Sequence, residues 1–291
     1  MIKIIIVILL YIISISLGYS PLIGKSVIKV SADNNPTIDL GKYINNLNGD
    51  TMLVLGTYAA DFNTIEYCQK IKYYQNQLKD KNIKNILLLV NAEPKTVESL
   101  SNILDLPKDI VLLSDSTGEV TKSFGVSRGW RPDDDISPYL KLFIMLFGLG
   151  APMTLPSVIG GYLGNPFTKN IGWIENSIVE NTLKGRFPSN AVELDPVTDK
   201  LIQNKFSELP LVGNWNVRPL ELATLRLQNM IGISLQHWSS LKPTDDELKK
   251  GLLTQLGGLI VIKEKSNVER YKYLDNGICS TASFANIIEQ L

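Results

Sequence analysis

The sequence predicts an α/β fold, and three observations point to it. Two apolar runs, at residues 51–58 and 83–90, are typical of buried strands, and an amphipathic helix separates them. A second helix with an apolar face follows, and then a strand-like run at 109–115. The chain closes with the pattern of a β-hairpin and a last helix, which adds antiparallel strands to the parallel unit.

Helices are predicted where apolar residues recur at intervals of three or four positions. The first begins near Thr64 and carries one apolar stripe, made of Tyr67, Ile71, Tyr74 and Leu78. The second begins at Pro94, which suits the first turn of a helix because that position needs no amide hydrogen. A long helix is predicted over 218–238, and Ser283 is a candidate N-cap for the last helix.

Composition excludes several classes of function. The 29 basic and 29 acidic residues balance, so nucleic-acid binding has no electrostatic support. With 2 cysteines and 1 histidine, the chain does not suit a disulfide framework or a metal site rich in cysteine or histidine. We therefore expect no metal and no cofactor.

The N-terminal region, residues 1–20, predicts a cleaved signal peptide. Lys3 precedes an uncharged apolar run that ends at Leu17, and small residues follow near Gly18. The apolar run is short for a membrane span of about 20 residues, and a retained anchor is the alternative. Residues 21–30 contain lysines but no acid, which suits a short transit extension.

The central region contains a segment without any charge, residues 142–168. Glycines and prolines interrupt it repeatedly, which argues against one continuous spanning helix. The simpler interpretation is a helical pair buried inside the domain. The alternative is a surface hairpin that dips into a bilayer or binds a membrane protein. The contact residues would then be Leu142, Phe143, Phe147 and Leu149.

Several stretches of the chain resemble a known family. GTYAADFNTIEY, SRGWRPDD, GGYLGNPF and RPLELATLRLQNM are similar to a peroxiredoxin-like (AhpC/TSA-type) family of cyanobacteria and plastids. The resemblance covers about residues 51–291, and the order of predicted elements is that of a thioredoxin-like fold. It implies a thioredoxin-like core built from 31–126 and 252–291, with a large, mainly helical insertion at 127–251 before the C-terminal β-hairpin.

The resemblance implies a former active-site loop from Tyr58 to Glu66. Asp61 and Phe62 match the family's Asp-Phe pair, and Asn63 stands where a threonine would orient the peroxide. Glu66 stands where the peroxidatic cysteine would attack. A carboxylate cannot be oxidised to a sulfenic acid, so that step of the peroxidase cycle is missing.

Peroxiredoxins hold an arginine against the thiolate, and Arg128 and Arg131 are the candidates by position. In this chain either could pair with Glu66. The alternative is that both arginines bind the neighbouring acids Asp133, Asp134 and Asp135.

The nearest cysteine, Cys68, does not simply replace the missing thiolate. Two residues along a helix rotate a side chain by about 200°, so Cys68 points away from the direction of Glu66. It lies beside the apolar stripe, where a cysteine is typically a small buried hydrophobe. Cys279 is the candidate resolving thiol. A disulfide between them would need Cα atoms within about 7 Å, and we expect two independent thiols instead.

The sequence favours a non-catalytic redox-fold module that binds a partner at a thylakoid or other membrane. The alternative is a one-cysteine antioxidant thiol peroxidase that uses Cys68 or Cys279 and an external thiol reductant. A third function is the binding of a small hydrophobic ligand. The N-terminal segment and the resemblance imply a plastid reached by the secretory route, with secretion or the endomembrane lumen as the alternative.

Overall fold

The computed structural model of the chain describes residues 20–31, 33–163, 172–185, 192–198, 200–204, 210–211 and 227–291. All but the last residue of the predicted signal peptide lies outside the described residues. The start of the helix predicted at 218–238 and the end of the uncharged segment at 142–168 also lie outside them.

Strands and helices are numbered in chain order along the described residues. The strands are β1 Ser26–Lys29, β2 Thr37–Asp39, β3 Asp50–Leu55, β4 Ile83–Val90, β5 Val111–Ser114, β6 Val192–Leu194, β7 Leu201–Asn204, β8 Gly258–Ile262 and β9 Glu269–Leu274. The helices are α1 Leu40–Asn45, α2 Phe62–Asp80, α3 Pro94–Leu104, α4 Glu119–Ser123, α5 Pro138–Met145, α6 Thr154–Leu163, α7 Gly172–Leu183, α8 Leu227–Gln236, α9 Trp238–Leu241, α10 Asp245–Lys249 and α11 Phe284–Gln290.

A mixed sheet of 7 strands forms the centre of the protein, in the order β2-β1-β5-β4-β3-β8-β9. Strands β3, β4 and β5 are parallel, and the other neighbours in the sheet pair antiparallel. Every residue of β3 and β8 is buried, because apolar side chains cover both faces of the sheet. The predicted α/β class is confirmed.

The strand, helix and strand at the start of the predicted core are confirmed. Helix α2 buries its whole predicted stripe, including Tyr67 and Leu78, against the sheet. Strand β4 has the predicted bounds, and α3 begins at Pro94 as expected. The last helix also begins as predicted, because the Ser283 hydroxyl accepts a hydrogen bond from the amide of Asn286.

Strand β1 and the hairpin of β6 and β7 were not predicted from sequence. Strand β1 lies within the range expected to be a transit extension, and its residues Ile28 and Lys29 pair with β5. The sheet therefore begins before residue 31. Only Val27 of β1 is buried, so this short strand shows little periodic pattern. The hairpin of β6 and β7 forms a separate small sheet.

The described part of the helix predicted at 218–238 is interrupted. Helix α8 ends at Gln236, and the separate helix α9 begins at Trp238. Among the residues that the structure describes, no helix is long and apolar enough to cross a membrane.

Close packing of β3 against the start of β8 leaves no room for a side chain at Gly257. A Cβ atom there would overlap the carbonyl oxygen of Leu55, which is fixed backbone. We expect Gly257→Ala to lower the free energy of unfolding by about 3 kcal/mol, because the strands would have to separate. Gly125→Ala is the control: φ is +77° there, but nothing lies within 4 Å.

Urea unfolding should show that Gly125→Ala lowers the free energy of unfolding by only about 1 kcal/mol, which is the cost of placing a side chain in a left-handed conformation. Equal losses for the two variants would contradict the packing account of Gly257.

Candidate functional site

The residues predicted as the former active site lie in the loop between β3 and α2 and in the first turns of α2. Asp61 is the N-cap of α2, and its carboxylate accepts hydrogen bonds from the amides of Asn63 at 2.9 Å and Thr64 at 3.4 Å. Burial raises the pKa of Asp61, and these hydrogen bonds oppose the shift. Tyr58 is buried as well, and its pKa is raised by that burial. Phe62 is half-buried and packs against the core.

Glu66 forms a buried ion pair with Lys70, one helical turn further along α2. The Nζ atom of Lys70 lies 2.8 Å from Oε1 of Glu66, and the exposed fractions of the two side chains are 7% and 1%. The hydroxyl of Thr281 donates a hydrogen bond to the same carboxylate. The position expected to be the point of attack therefore carries a carboxylate whose charge is balanced by a lysine. Both side chains are closed off from solvent, and the two are called here the sealed pair. The spacing of four residues was the signal in the sequence that could have identified Lys70.

Lys70 also makes contacts beyond α2. Its ammonium group donates hydrogen bonds to the hydroxyl of Thr281 at 2.6 Å and to the carbonyl oxygen of Ala282 at 3.0 Å. It lies 5.1 Å from the centre of the Trp173 ring, a distance typical of a cation–π contact. These contacts provide partners for a cation that would be costly to bury alone.

Arg128 and Arg131 bind neighbouring acids, so the local interpretation is confirmed and the pairing with Glu66 is wrong. The guanidinium of Arg128 lies 2.7 Å from the carboxylate of Asp133, and Arg131 pairs with Asp134. These pairs join residues close in sequence within one exposed loop, so they form with little loss of chain entropy and remain solvated.

Asp275 lies at the centre of a group of buried polar side chains, called here the buried cluster, that also includes Asn63, Glu66, Tyr67 and Lys70. No sequence pattern identified Asp275. It follows β9 and is only 2% exposed. Its Oδ1 atom accepts a hydrogen bond from the Tyr67 hydroxyl at 2.6 Å, and its Oδ2 atom accepts one from Nδ2 of Asn63 at 2.9 Å. Burial raises the pKa of Asp275 to about 7, although both hydrogen bonds and the charge of Lys70 favour the ionised form.

Asn63 connects α2 to the loop at residues 275–282, called here the closing loop. In addition to Asp275, its Nδ2 atom donates to the carbonyl oxygen of Gly277 at 3.0 Å. Its Oδ1 atom accepts from the amide of Cys279 at 2.7 Å. The amide of Ala282 donates to the Tyr67 hydroxyl at 3.1 Å. The closing loop thus covers the former active-site residues of α2.

Both cysteines are buried, and no disulfide joins them. Cys68 packs in the core as predicted, and burial raises the pKa of its thiol to about 12. Cys279 lies in the closing loop in a left-handed backbone conformation, with φ of +62°. A nucleophilic cysteine needs a thiolate and access to its substrate, and Cys68 has neither.

The described side chains include no site for a metal. Within the described ranges, no three His, Cys, Asp or Glu side chains converge in a way that could hold a metal ion.

Helices α5 and α6, with the turn between them, present an exposed apolar surface. It is called here the hairpin surface and consists of Tyr139, Leu140, Phe143, Leu146, Phe147, Leu149, Met153 and Leu155. Phe143 is 55% exposed and Phe147 is 60% exposed. The interpretation as a buried helical pair is therefore wrong for α5. Leu142 is also not part of this surface, because it is half-buried and packs against the core.

The one charged residue of α5 points inward. Lys141 is 6% exposed, and its ammonium group donates to the carbonyl oxygens of Pro132 at 3.1 Å and Asp134 at 2.7 Å. Met145 is buried on the same side of the helix. Helix α5 therefore has its polar group inside and its aromatic groups outside, which is the reverse of an ordinary surface helix.

Removing one member of the buried ion pair should destabilise the fold strongly. We expect Lys70→Met to lower the free energy of unfolding by about 3–5 kcal/mol, because the buried carboxylate of Glu66 would lose the cation that lies 2.8 Å from it. The double variant Glu66→Gln with Lys70→Met should recover much of that loss. Urea unfolding of both variants measures it.

Lys72→Met is the matched control on the same helix, since Lys72 pairs with Glu180 at a more exposed position. Lys72→Met should lower the free energy of unfolding by less than about 1 kcal/mol. A loss for Lys70→Met as small as that of Lys72→Met would contradict the assignment of Glu66 and Lys70 as a sealed pair.

Comparison with known proteins adds no family assignment. No family model matches the chain, and no curated protein matches it. The function must therefore be inferred from the buried cluster and from the hairpin surface.

Proposed function

We propose that this protein is a peroxiredoxin-like module without peroxidase chemistry that docks on a membrane through its hairpin surface. The element order supports a thioredoxin-like core: β3, α2, β4, α3 and β5 come first, and the β8–β9 hairpin and α11 follow late in the chain. On this proposal the largely helical region between β5 and β8 is an insertion that carries the hairpin surface.

The sealed cluster supports the loss of chemistry. Glu66 occupies the expected point of attack, and its charge is neutralised by Lys70. With a thiol pKa of about 12, Cys68 would be ionised in roughly one molecule in 10⁵ at pH 7. The closing loop covers Asn63, Glu66 and Tyr67, so a peroxide would find neither a thiolate nor an open path to the expected point of attack.

The inverted polarity of α5 is the observation that carries the docking proposal. An exposed aromatic surface on a helix whose lysine points inward is costly in water and favourable against an apolar partner. Six of the eight residues of this surface lie within a segment, residues 142–168, that has no charge. The eight residues of α5 extend about 12 Å, which suits a helix lying in the membrane interface.

A lipid bilayer fits this surface better than a protein partner does. The side chains of the hairpin surface are aromatic or aliphatic, and none carries a charge that could select one protein. Tyr139 is exposed and provides an aromatic ring of the kind that favours the membrane–water interface. The membrane of a plastid, reached by a secretory-type signal, is part of the proposal.

The hairpin surface can be tested with lipid vesicles and the full folded chain. We expect the protein to co-sediment with phosphatidylcholine vesicles. Phe143→Asp with Phe147→Asp should weaken binding about 100-fold, because two aromatic side chains no longer enter the bilayer. Val268→Asp is the control, since Val268 is an exposed apolar residue in the β8–β9 turn.

Binding that the double variant and Val268→Asp reduce equally would contradict a specific surface. If the protein sediments with native membranes but not with vesicles, its partner is a membrane protein and not the lipid bilayer.

The absence of peroxidase chemistry can be tested by trapping a sulfenic acid with dimedone. After hydrogen peroxide treatment of the folded protein, we expect no labelling at Cys68, whereas the urea-unfolded protein should react through its exposed thiols. Peroxide-dependent labelling of the folded protein that disappears in Cys68→Ser, or in Cys279→Ser, would establish the thiol peroxidase alternative instead.

A further inference from the structure

The closing loop connects the buried acid to the hairpin surface. Asp275 begins the loop, and the next residue, Asn276, accepts a hydrogen bond from the amide of Met153 at 3.0 Å. Two residues later, the amide of Ile278 donates to the hydroxyl of Thr154 at 3.0 Å. Gly277 packs so closely on Thr154 that a Cβ atom there would overlap its amide nitrogen. The first turn of α6 is therefore bound to the loop that Asp275 begins.

The surroundings of Asp275 determine which of its protonation states is compatible with burial. The titratable or charged side chains around it come from the start of α2, from β9 and from the closing loop itself: Asp61, Glu66, Tyr67, Lys70, Tyr273 and Cys279. Lys70 favours the charged form of Asp275, and Asp61 opposes it. Lys70 is paired with Glu66 at 2.8 Å, so a charged Asp275 would share this cation with a second carboxylate.

We propose that a proton on Asp275 locks the α5–α6 hairpin against the core, and that loss of this proton lets the hairpin move outward, so that its exposed surface docks more readily. This inference rests on the proposed function for its consequence, the docking step, but not for the lock itself. When the closing loop opens, Asp275 becomes solvated, and Met153 and Thr154 lose their partners in the loop. Met145 and Ala151, which are buried against the core, can then follow the hairpin outward.

The direction of the pH dependence follows from proton linkage. The closed loop keeps its proton up to about pH 7, the pKa of buried Asp275, whereas a solvated aspartate releases its proton near pH 4. The closed state is thus most favoured below about pH 4, loses tenfold in its equilibrium constant for each pH unit above that, and reaches its minimum above about pH 7.

Hydrogen exchange of the full chain measures the lock directly. After correction for intrinsic exchange rates, protection of the amides in the closing loop and the first turn of α6 should fall about tenfold per pH unit between pH 5 and pH 7. It should then become constant. Asp275→Asn cannot lose the proton, so its protection should not depend on pH.

Glu247→Gln is the matched control for this measurement. Glu247 is also buried with a raised pKa, but it lies on α10, and the amide of Gln can still accept the N-cap hydrogen bond from Thr244. In Glu247→Gln, the protection of the closing loop should fall between pH 5 and pH 7 as it does in the natural protein. This fall is called here the pH step. A flat profile in the natural protein, or a pH step that persists in Asp275→Asn, would overturn the lock.

A second variant tests the connection between the lock and the hairpin without altering Asp275. Thr154→Val removes the hydroxyl that Ile278 binds, so protection of the first turn of α6 should be low at every pH. Vesicle binding by the natural protein should rise between pH 5 and pH 8, whereas Thr154→Val should bind at the higher level throughout.

The two proposals fail in different ways in these experiments. If the exchange step occurs but vesicles never bind, the lock stands and the docking function is wrong. If vesicles bind equally at pH 5 and pH 8 while Asp275 titrates, the docking function stands and its control by the lock is wrong.

Discussion

Asn63 is the side chain on which the closed arrangement depends, because it satisfies buried polar groups of the closing loop from both ends of its amide. Its Nδ2 atom donates to Asp275 and to Gly277, and its Oδ1 atom accepts from Cys279. Each of these groups would cost about 1–3 kcal/mol if it were buried without a partner. The threonine that the resemblance implies at this position has a single hydroxyl donor, so it could not replace both donor bonds of Asn63. The closing loop can therefore pack onto α2 because residue 63 is an amide.

The placement of two buried lysines explains why the buried cluster is closed to solvent and why the outer side of α5 is exposed and apolar. Lys70 and Lys141 are both buried, and each uses backbone carbonyl oxygens as partners, at Ala282 and at Pro132 and Asp134. In the cluster, Lys70 meets a carboxylate and the charges cancel. In α5, Lys141 is withdrawn from the surface, so the outer side of the helix keeps only apolar groups. A buried cation needs polar partners in both places. In the buried cluster this closes the site, and in α5 it leaves the outer side of the helix without a charged group.

How much could be predicted from the sequence depended on whether the signal was local. Strand β4 and the stripe of α2 were predicted correctly, because buried strands and helical faces leave continuous or periodic apolar patterns. Asp275 could not be identified, since its partners Asn63 and Tyr67 lie more than two hundred positions away in the chain. A charge-free segment looks the same whether protein or solvent surrounds it, so the exposure of Phe143 and Phe147 became visible only in the structure. The partners of Arg128 and Arg131 were among the two interpretations drawn from the sequence, because Asp133 and Asp134 lie close by in the chain. The resemblance indicated a distant contact with Glu66, but the local contact forms more easily.

One short segment could serve both halves of the proposed function. Thr281 and Ala282, at the end of the closing loop, help to hold the Glu66–Lys70 pair in place. Asn276 and Ile278, nearer its start, hold the first turn of α6. A loop that opened for a peroxide substrate would therefore also release α6, and a loop that fixed α6 would cover the point of attack. On the proposed function, replacing the thiolate by a paired carboxylate removes this conflict, because the loop no longer has to admit a substrate. Its opening can then serve docking alone.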